Sequence, residues 1–391
     1  MNTLLANRVK NAPRSFTRKI LDVIGAKDII SFAGGLPDET LFPHELIKKE
    51  MNYSLDNLPR SMYQYSQAQG AIELREELAK TYTNSNENQI LITTGSQQGL
   101  DILCKTFINA GDTIIVEAPS YLAALNLFAL YDANIEEVSL TCKGVDTVEL
   151  EELFKTKKPK FFYAIPTFQN PTGWSWEDDC KKEVARLAQK YNVVVIEDSP
   201  YNALKYEPSK ELGFEELLPE LSVTLGTFSK TLVPDFRIGW MRADEKFLKV
   251  FQSMKENTDL QSPKFFQYIV ANMIKDGNLA LHVKTLIETY KIKRDTMNTA
   301  LKKEFVNQVE FELPKGGMFF WIKFDDKTDT MKLFDEAIKN NVAFVPGSVF
   351  YKNHQPTPYA RLNFTNATIK DIKNGVKRLK EAYTKYNATH E

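Results

Sequence analysis

The sequence is poor in cysteine and histidine, with three cysteines and four histidines in 391 residues. The cysteines are far apart and form no CxxC pair, and the histidines occur without the spacing of metal ligands. This scarcity argues against a disulfide framework and against a zinc site, so no bound metal is predicted. An odd number of widely spaced cysteines is typical of a protein kept in the reducing cytoplasm.

Long apolar runs and an excess of one charge are also missing. No stretch of about 18 apolar residues occurs and the N-terminus has no apolar signal segment, so neither a transmembrane helix nor a leader is predicted. The formal net charge of -1 gives no reason to expect a nucleic-acid partner or a membrane partner. No GxGxxG follows a predicted strand, which disfavours a nicotinamide dehydrogenase.

What the sequence does contain is ordinary for a globular enzyme, with 43% hydrophobic and 26% charged residues. The chain is longer than the roughly 250–300 residues at which single cores stop growing, so two domains are expected. Between residues 90 and 243, short apolar runs alternate with helical patterns, as in QILITTG followed by SQQGLDILCKTFINAG. This alternation predicts an α/β fold, a mostly parallel sheet with helices on both faces.

The C-terminal part has a different pattern. A helix is predicted from about residue 280 to 305, followed by VEFELPKGGMFFWIKF as two strands around a Gly-Gly turn. NVAFVPG and YARLNFT are predicted as further strands, and a helix ends the chain. This order predicts a smaller α+β domain. We therefore predict a large domain over residues 45–285, and an N-terminal arm plus a small domain over residues 1–44 and 286–391.

Polar residues follow the predicted strands of the large domain. Because ligands bind at the carboxyl ends of the strands in such a sheet, these residues are candidates for a single site. A helix that begins there also offers free N–H groups to a phosphate. In chain order the candidates are Ser96 and Gln97 at a helix start, Tyr121, Asn170, Asp198, Tyr201, Ser229, Lys230 and Arg237.

Each candidate has an ordinary explanation when it is taken alone. Ser96 could cap a helix, Tyr121 could pack in the core, and Asn170 begins a turn sequence. Asp198 could cap a helix, and a single lysine such as Lys230 is usually a solvated surface charge. The combination is less ordinary. It places a helix start that could bind a phosphate, an aromatic residue that could stack on a ligand, an amide, an acid, a lysine and an arginine at the strand ends of one sheet.

Several ordered segments resemble the fold-type I pyridoxal-phosphate (PLP) aminotransferases, and most closely the branch with 2-aminoadipate and kynurenine aminotransferases. The aminotransferase-like part of MocR-type regulators is similar as well. The segments extend from about residue 30 to 365 and include SFAGGLPDETLFP, YSQAQGAIELRE, TTGSQQGL, FQNPTG, EDSPY, FSKTLVPDFRIGW, PKGGMFFW and YARLNF. The resemblance implies pyridoxal 5'-phosphate as cofactor and amino-group transfer between an amino acid and a 2-oxo acid, with 2-oxoglutarate as the expected acceptor.

The resemblance also implies roles at the cofactor. Lys230 would hold it as a Schiff base and carry the proton, Asp198 would pair with the pyridine nitrogen, and Tyr121 would stack on the ring. The remaining candidates would hold its polar groups: Asn170 and Tyr201 the 3-oxygen, and Ser96, Gln97, Ser229 and Arg237 the phosphate. Tyr65 would reach the phosphate of the neighbouring subunit, which implies a homodimer with shared active sites.

On the substrate side, the resemblance assigns Arg361 to the α-carboxylate, with Asn170 and Gly35 beside it. Arg18 lies where 2-aminoadipate-type enzymes carry an arginine for a second carboxylate, so it would favour a dicarboxylic donor such as glutamate. The alternative is that Arg18 is a solvent-facing helix charge. Aromatic residues, among them Phe32, Phe42 and Tyr63, would then line a pocket for aromatic or aliphatic donors.

Two alternatives to aminotransfer stay open from the sequence. One is a detached MocR-type regulator domain that binds PLP and an effector, although only about 30 residues precede SFAGGLP, too few for a winged helix. The other is a PLP lyase on the same scaffold. The chain departs from the family at Asp235, where many relatives have glycine. Aspartate can adopt the left-handed conformation at modest cost, so the loop is expected to survive this change.

Overall fold

The computed structural model describes Leu4, Ala6, Arg8 and residues 28–208 and 212–390. Arg18 lies outside these described residues. The described strands are β1 (Ile30–Ser31), β2 (Ile90–Thr93), β3 (Thr113–Ala118), β4 (Asn134–Thr141), β5 (Gly144–Val145), β6 (Phe161–Ala164), β7 (Val194–Asp198), β8 (Ser222–Thr227), β9 (Gly239–Ala243), β10 (Phe319–Lys323), β11 (Val342–Ala343), β12 (Val345–Pro346) and β13 (Tyr359–Asn363).

The described helices are of very different length. They are α1 (His44–Asn57), α2 (Ile72–Ala79), α3 (Ser96–Phe107), α4 (Leu122–Leu130), α5 (Thr147–Lys157), α6 (Asp178–Tyr191), α7 (Phe214–Leu217), α8 (Glu245–Asp259), α9 (Lys264–Lys275), α10 (Asn278–Phe305), α11 (Thr330–Lys339) and α12 (Ile369–His390).

An eight-stranded sheet in the order β2-β9-β8-β7-β6-β3-β4-β5 forms the centre of the large domain. The strands from β8 to β4 pair in parallel. In contrast, β9 is antiparallel to both of its neighbours, and β5 is antiparallel to β4. The predicted mostly parallel sheet is confirmed. Its parallel strands place their carboxyl ends along one edge, where the candidate residues lie.

Helices cover both faces of this sheet. On one face, α3, α4 and α8 pack through residues such as Leu103, Phe128 and Phe251. On the other face, α5 and α6 pack through residues such as Phe154 and Leu187. Because both faces are covered, all residues of β2, β6 and β8 are buried. This explains why the sequences of β2 and β6, ILIT and FFYA, show no alternation of polar and apolar residues.

The small domain combines an antiparallel sheet, β10-β13-β12, with the helices α10, α11 and α12. A separate two-stranded pair joins β1 to β11 and brings the N-terminal segment against this domain. The long helix α10 starts at Asn278, so it crosses the predicted boundary at residues 285 and 286. The domain division itself stays a prediction.

Two strand predictions in the small domain are wrong. The first half of VEFELPKGGMFFWIKF forms only an isolated bridge between Glu310 and Lys323. Pro314 has no N–H to donate, and Gly316 pairs instead with Lys205 of the large domain. NVAFVPG is divided between β11 and β12, which belong to different sheets. The two domains touch beside the sheet edge, where Ser120 N donates to Phe350 O at 2.8 Å.

Candidate active site

A cavity of about 420 Å³ lies at the carboxyl ends of the parallel strands, between the sheet and the small domain. Its walls bring together residues that are up to several hundred positions apart in the sequence. The predicted site residues in these walls are Gly35, Ser96, Gln97, Tyr121, Asn170, Asp198, Tyr201, Ser229, Lys230, Arg237 and Arg361. Tyr65 does not line the cavity of its own chain, and its side chain is 77% exposed.

Asp198, the last residue of β7, is buried with one carboxylate oxygen satisfied and the other not. The hydroxyl of Tyr163 donates to Oδ2 at 2.7 Å. Oδ1 has no hydrogen-bond partner among the described residues. Burial raises the pKa of Asp198 to about 6, and the hydrogen bond from Tyr163 opposes that rise. An unsatisfied buried acceptor is costly, so this oxygen is suited to a donor supplied by a ligand.

Lys230 follows β8 and is half-buried at the cavity wall. Its Nζ donates to the carbonyl oxygen of Gly35 at 2.8 Å. Burial lowers the pKa of Lys230 to about 8, and the positive charges of Arg361 and Arg237 lower it further. The unprotonated amine, which is the form that attacks an aldehyde, is therefore more populated near neutral pH than in an ordinary lysine.

One end of the cavity is built to receive an anion. The helix α3 begins at Ser96, and its N-cap residue is Gly95, with φ of 76° and no side chain to cap the helix. The Arg237 guanidinium lies against this turn, because a Cβ at position 95 would be 2.3 Å from Arg237 Nη2. Nη1 of Arg237 also donates to Ser229 Oγ at 3.4 Å. A helix N-terminus, a hydroxyl and a guanidinium together suit a phosphate.

The left-handed residue of this loop lies two positions after Asp235. Asp235 lies inside a short 3₁₀ helix, Pro234–Phe236, and does not have a positive φ. The residue in the left-handed region is Arg237, with φ of 51°. The N–H of Arg237 donates to Pro234 O at 3.3 Å and closes the turn, so the left-handed residue is the one that follows the 3₁₀ helix. Asp235 can therefore replace glycine there without strain.

Arg361, in β13, is buried at the opposite wall, and its hydrogen-bond acceptors among the described residues are neutral. Nη1 donates to Asn170 Oδ1 and Nη2 donates to the carbonyl oxygen of Ala33, both at 2.7 Å. Its guanidinium carbon lies 4.3 Å and 5.2 Å from the ring centres of Phe319 and Phe350. Nε has no partner among the described residues. Burial lowers the pKa of Arg361 to about 10, so the group keeps its charge at neutral pH.

Two phenols face the same space. Burial raises the pKa of Tyr121 to about 12, with a further rise from the charge of Asp198. Burial also raises the pKa of Tyr201, while a hydrogen bond with Asn170 lowers it. Both hydroxyls therefore stay protonated at neutral pH and can donate a hydrogen bond. Tyr201 packs edge-to-face on Phe319, with ring centres 5.8 Å apart.

The sequence patterns did not indicate a role for Tyr163, for Ala33 or for the two aromatic rings beside Arg361. Tyr163 lies within the apolar run KFFYAIP and looked like a core residue. The available signal was its hydroxyl, because a fully buried tyrosine needs a polar partner. Ala33 acts through its backbone carbonyl, and nothing in its side chain could have indicated this.

The residues present fit the phosphate, the pyridine nitrogen and the aldehyde of pyridoxal 5'-phosphate. The anion end suits the phosphate, the unsatisfied oxygen of Asp198 suits a protonated ring nitrogen, and the Lys230 amine suits the aldehyde. Within the part of the chain that the structure describes, no group of three His, Cys, Asp or Glu could hold a metal ion. No helix in that same part is long and apolar enough to cross a membrane.

Comparison with known proteins agrees with this chemistry. The family described as "Aminotransferase class I and II" matches residues 27–379. The aromatic-amino-acid aminotransferase 1 of Thermococcus litoralis is 38% identical over 376 residues, which cover 93% of this chain and 90% of that protein.

Solved structures agree as well. The Pyrococcus horikoshii kynurenine aminotransferase, in complex with PMP, has a TM-score of 0.93 at 36% identity, with 98% of both chains covered. LysN, the α-aminoadipate aminotransferase of Thermus thermophilus, complexed with N-(5'-phosphopyridoxyl)-L-leucine, has a TM-score of 0.92 at 32% identity, with 99% of both chains covered.

The fold and the cavity define a PLP-dependent transferase of fold type I. The chain belongs to the aminotransferase class I and II family, and it is an aminotransferase that uses pyridoxal 5'-phosphate to transfer amino groups. The predictions of the fold class, the cofactor and the type of enzyme are therefore confirmed.

Proposed function

We propose that this aminotransferase moves an amino group from an amino acid to 2-oxoglutarate, with Lys230 as the residue that binds the cofactor and carries the proton. The observation that carries the proposal is a pair of groups that face one cavity. Among the described residues no donor reaches Asp198 Oδ1, and Lys230 has an amine whose pKa is lowered to about 8. The free carboxylate oxygen suits a protonated ring nitrogen, and the lowered pKa suits an amine that must act as a base.

When bound, pyridoxal 5'-phosphate supplies an electron sink for the charge left after the α-proton of an amino acid is removed. The carboxylate of Asp198 would keep the ring nitrogen protonated, because a nearby negative charge favours the charged form. Tyr121 would pack against the ring, and Asn170 and Tyr201 would bind its 3-oxygen. The phosphate would be held by the cavity's anion end, which consists of Ser96, Gln97, Ser229 and Arg237.

Lys230 has two tasks in this proposal. Its amine first binds the cofactor, for which it must be unprotonated. Once the substrate amine has displaced it, the same side chain moves a proton at the substrate α-carbon as a general base and then as an acid. The carbonyl of Gly35 accepts from Nζ at 2.8 Å, so this backbone segment can orient the amine between the two tasks.

Arg361 would bind the α-carboxylate of the substrate. A planar guanidinium fixes both the position and the direction of a carboxylate, which aligns the bond to the α-hydrogen. Asn170 accepts from Nη1 at 2.7 Å and so holds the guanidinium plane. The rings of Phe319 and Phe350 limit water around it, which strengthens the pairing.

The donor is either dicarboxylic or aromatic. Among the described residues of the cavity wall, the basic ones are Lys230, Arg237 and Arg361, and all three have a role already. The apolar wall residues Leu36, Leu122, Val345 and Phe350 suit an aromatic or aliphatic side chain. A second carboxylate would need another cation, and Arg18 is the candidate for it.

We also propose a homodimer in which Tyr65 completes the phosphate site of the neighbouring chain. Its side chain is 77% exposed and lies outside its own cavity, as this role requires. Mixing chains with Tyr65→Ala and chains with Lys230→Ala tests this arrangement. A shared site regains activity, because one site of each mixed dimer has both native residues, whereas a site within one chain regains none. The cytoplasm is the proposed compartment, since the three cysteines are free.

A substrate panel tests the proposal as a whole. We expect amino-group transfer to 2-oxoglutarate from at least one of glutamate, 2-aminoadipate, kynurenine, phenylalanine and tyrosine. Cofactor binding without any transfer would favour the regulator-like alternative, and release of the amino group as ammonia would favour a lyase. Arg18→Ala then decides the donor class. It should raise KM for dicarboxylic donors far more than for monocarboxylic donors, and an equal effect would remove Arg18 from the site.

A further inference from the structure

A buried acid, Glu117, lies behind the cavity wall and belongs to none of the roles above. It is 0% exposed and sits near the end of β3. Its Oε2 accepts from the backbone N–H of Ile165 at 2.8 Å and from Gln169 Nε2 at 3.3 Å. Its Oε1 accepts from the indole Nε1 of Trp176 at 3.0 Å.

All three donors lie on one segment, residues 165–176, which we call the 165–176 loop. The loop is closed by its own backbone bonds, from Gln169 N to Trp174 O at 2.8 Å and from Trp176 N to Pro166 O at 2.9 Å. Glu117 therefore binds the loop at its start, its middle and its end. Asn170, which accepts from Arg361, lies inside this loop.

Gln169 extends the connection to a second wall of the cavity. Its Nε2 donates to the carbonyl oxygen of Pro119 at 2.8 Å as well as to Glu117. Its Oε1 accepts from both N and Oγ1 of Thr172 at 2.9 Å. Pro119 precedes Tyr121 by two residues, so a single buried pair, Glu117 and Gln169, connects the segment of Tyr121 with the loop of Asn170.

The three N–H donors require acceptors, and an ionised carboxylate offers acceptors only. Burial raises the pKa of Glu117 to about 7, with a further rise from the charge of Asp198, while the three hydrogen bonds lower it. A charge in such a place is costly, and the three hydrogen bonds offset that cost, whereas an apolar side chain would leave the donors without an acceptor. The convergence of donors from both ends of one loop indicates that the carboxylate serves to hold the loop.

We propose that Glu117 is a positioning residue of the active site. By holding Gln169 and both ends of the 165–176 loop, it sets the place of Asn170 and, through Pro119, the place of Tyr121. This inference rests on the proposed function, because Asn170 and Tyr121 matter for turnover only if the cofactor and the substrate bind in this cavity.

Glu117→Gln in the PLP-loaded enzyme tests the proposal. The change keeps the size of the side chain but turns one acceptor into a donor, so one of the three N–H groups loses its partner. We expect kcat/KM to fall by about 10- to 100-fold, the cost of slightly misplaced reacting groups, while the chain keeps its cofactor. We also expect a shift in the pH midpoint of the cofactor's visible absorbance, because Asn170 would contact its ring.

A matched control is Glu149→Gln. Glu149 also accepts from a backbone N–H, that of Ser139 at 2.9 Å, but it lies outside the cavity wall. This variant should keep both kcat/KM and the absorbance midpoint. A fall in the melting temperature of Glu117→Gln with unchanged kcat/KM and midpoint would show that Glu117 only stabilises the fold, and this would overturn the proposal.

The exchanged pair, Glu117→Gln with Gln169→Glu, sharpens the test. It keeps one carboxylate and one amide in contact, although the bond to Pro119 O is lost. We expect its kcat/KM to exceed the value calculated from the two single variants, since residues in direct contact are coupled. If the loss of kcat/KM in the double variant equals the product of the two single-variant losses, Glu117 and Gln169 are not coupled. This result would contradict a positioning pair.

If Glu117→Gln does not fold, Trp176→Phe replaces it as the test, because it removes a single donor and keeps the acid. The same two readouts should then change by a smaller amount, and unchanged values would overturn the proposal. Failure of the proposed function is distinguishable, because wild-type protein would then bind no PLP or transfer no amino group before any variant is compared.

Discussion

The two buried charges of the cavity, Asp198 and Arg361, are held in different ways. Asp198 ends a strand of the central sheet and accepts from Tyr163 on the neighbouring strand β6. Arg361 belongs to the small domain, but its two hydrogen-bond partners are Asn170 of the large domain and Ala33 of the N-terminal segment. The acid therefore depends on one sheet, whereas the guanidinium depends on three segments that are distant in sequence.

The two ends of the site are held by different parts of the fold. Neighbouring strands of a buried sheet hold each other through a ladder of hydrogen bonds, so the position of Asp198 is set within one sheet. The surroundings of Arg361 require that both domains and the N-terminal segment come together. In the proposed function, the cofactor ring would lie at the Asp198 end and the substrate carboxylate at the Arg361 end.

Among changes to these two ends of the site, Asp198→Asn should cause the largest loss of turnover. The amide cannot keep a proton on the ring nitrogen by its charge, so kcat should fall by about 10²- to 10³-fold, as for other preorganised electrostatic groups. Bound cofactor per chain, measured by visible absorbance, should stay the same because the phosphate end is intact. Turnover equal to that of the wild type would remove Asp198 from its role.

Arg361→Lys should lower activity less, and mainly by weakening substrate binding. A lysine keeps the charge but loses the planar pair of donors, so kcat/KM should fall by about 10- to 100-fold for every amino donor. Most of this loss should appear as a higher KM, and the absorbance of the cofactor should not change. A variant that loses cofactor but keeps KM would contradict the division between the two ends.

Tyr163→Phe should have the smallest effect. Its hydrogen bond lowers the pKa of Asp198, so its removal raises that pKa above the value of about 6. Because the ionised carboxylate is the active form, the acidic limb of the pH profile of kcat/KM should move to higher pH. At pH 8 the loss should be only about fivefold, the equivalent of one hydrogen bond.

Tyr131→Phe is the control for this profile. The Tyr131 hydroxyl donates to Asp101 at 2.6 Å, away from the cavity wall, so its loss should leave the acidic limb in place. An equal displacement of the limb in both variants would mean that Tyr163 does not act on Asp198 specifically.

The same contrast explains how much could be predicted from the sequence. Asp198 ends strand β7 and Lys230 lies shortly after the neighbouring strand β8. Parallel strands bring their carboxyl ends together, so the proximity of these two residues was predictable. The contact of Arg361 with Asn170 was not, because the strand pattern contains no information on how the two domains meet. Only the resemblance to a family indicated Arg361.

The contacts of residues inside the strands could not be predicted from the sequence either. Tyr163 and Glu117 lie in apolar runs, and the side chains they meet come from neighbouring segments whose register the sequence does not show. The sheet itself was predictable because most of its strands contain short apolar runs that alternate with helical patterns. Short strands such as β11 and β12 were not, because their pairing depends on packing between the domains rather than on a local pattern.

Reduction of the PLP-loaded enzyme with borohydride, followed by mass analysis of its peptides, identifies the lysine that binds the cofactor. We expect one phosphopyridoxyl group per chain, on the peptide that contains Lys230, and none in Lys230→Ala, whose kcat should be lower by about 10²- to 10⁴-fold or more. A reduced group on another lysine, or a wild-type chain that retains none, would contradict the role of Lys230.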